Sequence, residues 1–158
     1  MITLEQKICL MLIPILTSLF TRDLKKLKGE LELYRQESNI WKVEHSIDNS
    51  AGNLCLHLIG NLNLYIGATI GGTDYVRNRP LEFSLKDIKR DELLQRIDQT
   101  VVVIEQSLGN LSEAELINEY PLLVLEEKTS TEFFLVHLST HLAYHLGQIN
   151  YHRRLLDV

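Results

Sequence analysis

The sequence predicts an all-α protein, a four-helix bundle in one domain spanning residues 1–158, and three observations carry that prediction. Apolar residues recur at threes and fours over four long stretches. Each stretch is bounded by capping or breaking residues. Only one short run, Tyr120 to Leu125, has the aliphatic, β-branched look of an extended segment.

The first helix is expected from about Leu12 to Tyr34, where Leu16, Leu19, Phe20, Leu24, Leu27, Leu31 and Tyr34 mark one face. Pro14 is expected in its first turn, where a missing N–H costs little. The apolar run Lys7 to Leu16 resembles the apolar part of a signal peptide. It lacks an Ala-x-Ala-like cleavage site and runs straight into the helical pattern, so an ordinary first helix is expected. No apolar stretch reaches the ~20 residues that span a bilayer. Residues 38–50 read as a connection with Trp41, Val43 and Ile47 packing beneath it.

Asn49 to Asn53 supplies cap-type residues for a second helix, continued by Leu54, Leu58, Leu62, Tyr65 and Ile66 to about Thr69. His57 lies within it, and steps of four lead to Asn61 and Tyr65, a polar track beside the apolar one. A lone histidine on such a face is more often a hydrogen-bonded core residue than a ligand. Ile70 to Lys89 reads as a long connection, of the kind that is either mobile or lines a site. Arg77 and Arg79 within it are candidates for gripping an anionic group through bidentate bonds, the alternative being salt bridges to Asp74 and Glu82.

Leu93, Ile97, Val101, Ile104 and Leu108 define a third helix from about Arg90 to Leu108, with Gly109 as its stop. Ser112 to Glu115 matches a capping box for a short helical turn ending near Glu119. Thr129-Ser130-Thr131-Glu132 is a second such box and launches the fourth helix, which runs to about Leu156. The lengths of the connections leave open which helices are neighbours.

The chemistry lies on that fourth helix. His137, His141 and His145 recur one turn apart, with Tyr144, Gln148 and His152 beside them, at the edge of the sector formed by Leu135, Leu138, Leu142, Leu146 and Ile149. Two neutral imidazoles at i and i+4 can aim lone pairs at one ion. His57 from another helix would complete three nitrogen ligands with open positions left for water or substrate, as in catalytic zinc sites, and nickel or iron would also accept them. Leu142 stands where a zincin would carry its glutamate base, which excludes that hydrolase class. A metal-free polar network is the bland alternative.

Composition narrows the partners. With 16 Lys and Arg against 21 Asp and Glu the net charge is −5, which argues against nucleic-acid binding through bulk positive charge. The clusters Lys25-Lys26-Lys28 and Arg153-Arg154 read as a solvated face and a helix C-terminus. Cys9 and Cys55 fit small core side chains in a reducing cytoplasm better than a disulfide or a nucleophile.

The segment His137-Leu-Ser-Thr-His141-Leu-Ala-Tyr-His145-Leu-Gly147-Gln148 resembles the last helix of the DinB-like superfamily, His-x₃-His-x₃-His-x-Gly-Gln. Asn49 to Leu62 resembles that superfamily's ligand-bearing second helix, and Arg77 to Phe83 the loop that follows in one subgroup. The resemblance implies up-down-down-up connectivity, a homodimer, and a divalent metal, zinc or nickel, on His57, His141 and His145. His137 would then be a neighbour, and Asn61, Tyr144 and Gln148 groups of the pocket or partners of the ligating rings. Some relatives are thiol-dependent transferases or isomerases, and many have no assigned reaction. The activity implied is a metal-dependent, low-molecular-weight-thiol S-transferase in detoxification or stress response. The alternative is a non-catalytic dimeric metal- or ligand-binding protein.

Overall fold

A computed structural model describes residues 4–158, with side chains from residue 12 onward. It is helical, and among the described residues the only β-type pairing is one antiparallel bridge between Glu119 and Ser130. The elements are α1 (Leu4–Glu32), a 3₁₀ turn (Glu37–Trp41), α2 (Ala51–Leu62) with a π-helical extension (Asn63–Ala68), α3 (Arg79–Ser84), α4 (Arg90–Gly109), α5 (Glu113–Ile117) and α6 (Thr131–Leu156). No described helix is long and apolar enough to cross a membrane.

In α1 the expected stripe is the buried one: Leu16, Phe20, Leu24, Leu27 and Leu31 are enclosed, as is Tyr34 just beyond the helix. Its start differs from expectation. The helix begins at Leu4, so Pro14 lies well inside it rather than in its first turn. The proline forfeits one backbone donor there, while Thr17 Oγ1 gives a bond to the Ile13 carbonyl at 2.8 Å. Cys9 lies outside the residues whose side chains are described. Cys55 is fully enclosed, and burial pushes its thiol up to about 12, as suits a core residue.

Every residue of α2 is buried, which makes it the central helix, with α3, α4 and α6 around it. Ser50 caps it, its Oγ accepting from the Asn53 N–H at 3.1 Å. Trp41 presses on the helix at Gly52, where an added Cβ would lie 2.6 Å from the indole. Of the residues expected under the connection, Trp41 is buried, Ile47 half-buried and Val43 exposed, while Ile40 is buried beside Trp41. Beyond Leu62 the chain widens into the π-turn: the Thr69 N–H reaches the Leu64 carbonyl, and the Gly71 N–H that of Ile66, both at 2.9 Å. The Asn63 amide bonds both the Ile59 carbonyl, at 2.8 Å, and Thr100 Oγ1 on α4, at 2.9 Å.

Where a plain connection was expected after α2, the chain makes the short helix α3, capped by Asn78 and opened by Pro80. Two bonds from Asn53 Nδ2 hold it to α2, to the carbonyls of Glu82 at 2.9 Å and Leu85 at 2.8 Å. Gly109 is the last residue of α4 and Asn110 caps it in right-handed geometry, so no left-handed glycine stop is used. The capping box at Ser112 and Glu115 forms, though α5 ends at Ile117. The run from Tyr120 forms no strand: Tyr120 is held by its backbone bond to Thr129 and by its hydroxyl, which donates to the Tyr65 carbonyl at 2.8 Å. The cap of α6 is Ser130, one residue later than the expected box, and it accepts from the Phe133 N–H.

At the far end of α6, His152 is buried rather than peripheral. It bridges Tyr34 Oη, at 2.6 Å, and the Lys42 carbonyl, at 2.8 Å. Asp157 accepts from the backbone N–H groups of Arg35 and Gln36 and from Asn39, which fastens α6 to the end of α1.

Candidate metal centre

Three imidazoles from two helices meet at one point. His57 is on α2, while His141 and His145 are one turn apart on α6. His141 Nε2 lies 3.3 Å from His57 Nε2 and 3.1 Å from His145 Nε2, and one ligand atom from each ring falls within 4.8 Å of the others. The outer nitrogens fix which atom is free. His57 Nδ1 donates to Glu82 Oε2 at 3.0 Å and His145 Nδ1 donates to Gln148 Oε1 at 2.7 Å, so both Nε2 atoms present lone pairs. A proton on His141 Nε2 would satisfy only one of them. His141 Nδ1, on the outside, is buried with no partner among the described residues.

This donor set fits a divalent cation. Bonds of about 2.0–2.1 Å in tetrahedral geometry place nitrogen ligands about 3.3 Å apart, close to the two separations measured from His141. The site is also held ready to coordinate. Burial, then the neighbouring His145, His57, His137 and Arg77, pushes the His141 imidazole down to about 4. His145 is pushed in the same direction, by burial first, against the hydrogen bond to Gln148. Neutral rings near pH 7 are the ligating form.

Behind His57 stands an ion pair that the sequence offered only as a surface alternative. Arg77 grips Glu82 with two bonds, Nε to Oε1 at 2.6 Å and Nη2 to Oε2 at 2.8 Å. Burial alone would push the Glu82 carboxyl up, but the bonds from Arg77 and His57 outweigh it and hold it below the ordinary carboxylate range. Arg77 Nη2 also lies 3.3 Å from His57 Nδ1; both are donors, so the two groups share Glu82 rather than bond each other. Space for the carboxylate comes from Gly60, one turn after His57, where an added Cβ would collide with Glu82. Asn53, Gly60, Arg77 and Glu82 thus act as one support for one imidazole.

The remaining expected residues separate around this centre. His137 stacks between Phe134 and His141, with ring centroids 5.8 and 6.3 Å away, and does not join the three nitrogens. Tyr144 is exposed, its ring edge-on to His145 at 5.2 Å, and its hydroxyl lies 3.4 Å from the Gln148 amide nitrogen. Asn61 and Arg79 line a cleft with His57 and His141, while Asp74 makes no pair with either arginine.

A sequence model of the family described as "Protein of unknown function (DUF1572)" matches residues 18–157. The chain belongs to this family. The match takes in all three histidines, the α3 segment and the whole of α6. No curated protein matches the chain. The part that Glu82, Gly60 and Asn53 play in this site escaped the reading from sequence, which had Glu82 only as a salt-bridge partner and Asn53 only as a cap-type residue. The one signal for Asn53 and Gly60 was their spacing with His57 along one side of a mostly apolar helix, and it does not reach Glu82.

Proposed function

We propose that this chain is a DinB-like, divalent-metal-dependent protein, with zinc or nickel held by His57, His141 and His145, acting as a low-molecular-weight-thiol S-transferase in detoxification or stress response. In this reading α1, α2, α4 and α6 form a four-helix bundle of up-down-down-up order, and two chains pair as a cytoplasmic homodimer. The observation that carries it is the meeting of three Nε2 atoms, two with outward-fixed protons and at most one hydrogen, from His141, to share among them. A bound cation supplies Lewis acidity that keeps a thiol ionised near neutral pH. The chain's own contribution is positional: Glu82 and Gln148 hold two rings by their Nδ1 protons, and Phe134 and Leu138 give the adjoining cleft an apolar wall. In the overall transfer the thiol sulfur forms a bond to an electrophilic carbon. The leaving group departs with the bonding pair and the thiol proton passes to solvent.

One observation favours the alternative of a non-catalytic metal- or ligand-binding protein. The nearest carboxylate, Glu82, is neutralised by Arg77 and is a poor proton acceptor. One experiment separates the readings. Metal content of the purified protein is measured for wild type and His141→Ala, followed by a panel of small thiols with a chloronitrobenzene acceptor. Stoichiometric metal that is lost in the variant, together with turnover, supports the transferase; metal without turnover supports the binding protein. Wild type without metal and without thermal stabilisation by zinc or nickel defeats both.

A further inference from the structure

The outer face of α6 turns apolar and uncharged residues to solvent along almost its whole length. Phe133, Val136, Tyr144, Tyr151 and Leu155 are all exposed, over a run of about 33 Å at 1.5 Å per residue. Arg154 is the only charged residue among the exposed positions of this helix. The exposed positions of α4 include Asp91, Glu92, Asp98 and Glu105, and those described in α1 include Arg22, Lys25, Lys26 and Glu32. A helix apolar on its inner face and uncharged on its outer one has the pattern of a helix covered on both sides. The area suits a protein partner. Phe133, Tyr144 and Tyr151 are 57%, 65% and 63% exposed and offer roughly 100–150 Å² each. With the residues between them the stripe presents on the order of 700 Å², near the ~800 Å² that each partner of a stable pair buries.

The two ends of the stripe carry opposite charge. Glu132 opens α6 and Arg154 closes it, with the Arg154 guanidinium 5.5 Å from the centre of the Tyr151 ring. Neither meets an opposite charge among the described residues. Two such helices laid antiparallel bring Glu132 beside the partner's Arg154, Phe133 beside the partner's Leu155 and Val136 beside the partner's Tyr151. All three contacts imply one centre, between Ala143 and Tyr144. A parallel arrangement would set Arg154 against the partner's Arg154 and align two helix dipoles side by side. Near that centre the surface is open. An added Cβ meets nothing at Gly147 or at Gly29 across the groove between α1 and α6, and this groove, about 630 Å³, has room for a ring such as the partner's Tyr144.

We infer that this stripe is where a second copy of the chain docks, α6 against α6 in antiparallel register about a two-fold axis between Ala143 and Tyr144. The inference rests on the proposed function only for there being two chains; no metal enters it. A pair seated here covers the Gln148 amide, and so keeps water from the 2.7 Å bond that orients the His145 ring.

Sedimentation velocity over a concentration series, on the full-length chain kept metal-free with a chelator, reads the pairing. Wild type sediments as a dimer. Val136→Glu weakens the dimer about a hundredfold, since each pair contains the substitution twice, whereas Val102→Glu on the exposed face of α4 leaves it within twofold. Glu132→Arg weakens it about tenfold, and adding Arg154→Glu restores it to within threefold. Circular dichroism shows that each variant keeps its helix content. Disulfide formation in the otherwise unaltered chain reads the register: Ala143→Cys crosslinks to itself, Phe133→Cys does not, and a mixture of Phe133→Cys and Leu155→Cys chains does. A wild type that sediments as a monomer, whether or not it floats with phosphatidylglycerol vesicles, overturns both the pairing and this face. A dimer that Val136→Glu leaves intact, or in which Phe133→Cys crosslinks to itself, overturns this face and register while the pairing itself stands.

Discussion

Glu82→Gln changes one charge and almost no volume, yet it reverses the logic of the candidate metal centre. The two carboxylate oxygens accept three bonds, two from Arg77 and one from His57 Nδ1. A carboxamide offers one oxygen and one amino group in the same place. If the oxygen faces Arg77, the amino group faces His57 Nδ1, which must then accept, and the ring proton moves to Nε2, the nitrogen aimed at His141. If the oxygen faces His57, the amino group confronts the guanidinium. Loss of such an outer partner typically weakens metal binding about 10- to 100-fold, or about 1.4–2.7 kcal/mol. The Arg77 side chain, 9% exposed, also loses its counter-charge, at about 3 kcal/mol. For a chain of 158 residues that lowers the melting temperature of the metal-free protein by roughly 6–12 °C. A competition titration with a chromophoric zinc chelator reads the first effect and thermal unfolding the second. A zinc affinity for Glu82→Gln within twofold of wild type would refute the idea that this carboxylate sets the His57 tautomer.

Three further outcomes follow from the same contacts. Gly60→Ala drives a methyl group into the Glu82 carboxylate, so it should weaken zinc binding by about the same factor as Glu82→Gln despite lying outside the ligand set, as the same chelator titration would show. Tyr34→Phe removes the donor to His152 Nδ1 in the core and should cost about 1–3 kcal/mol in urea unfolding, with no change in zinc affinity. The metal-free protein should also lose stability as pH falls. His141 is pushed down to about 4 and His145 and His152 are lowered too, each by burial first, while in the unfolded chain they take protons near 6.5. Between those values the unfolded state binds more protons, so the stabilisation is complete above about pH 6.5 and drains away toward pH 4, which urea midpoints at a series of pH values would trace.

The helices were legible because their signals are local. Periodic leucines in α1 and α4 and the cap residues before α2 and α6 act within one or two turns, so α4 lies where the sequence puts it and α2 and α6 start within a residue or two of expectation, while α1 begins at Leu4 rather than near Leu12. The i, i+4 pair His141 and His145 was legible for the same reason, while His57 needed the resemblance, because nothing in its own neighbourhood distinguishes a ligand from a core histidine. Glu82 was opaque for a different reason. It sits in a six-residue helix too short to show a period, and its burial depends on Gly60 and Asn53, more than twenty residues earlier in the chain. Pro14 was misplaced because a first-turn proline is the inexpensive arrangement, and the longer helix tolerates the costlier one.

The π-turn after Leu62 lets a single rod run in two phases. A π-turn is in effect one residue more than an α-helix needs, and removing one would swing everything beyond it by about 100°. Upstream, the phase is committed to His57 and Asn61, which line the cleft at the three histidines, and to Gly60 against Glu82. Downstream it is committed to Ile66 in the core, to Gly67 against Val103 of α4, and to the Tyr65 carbonyl beneath Tyr120. The surplus residue uncouples these commitments, so the face that carries the chemistry can drift in sequence without re-indexing the half of the helix that holds the scaffold together.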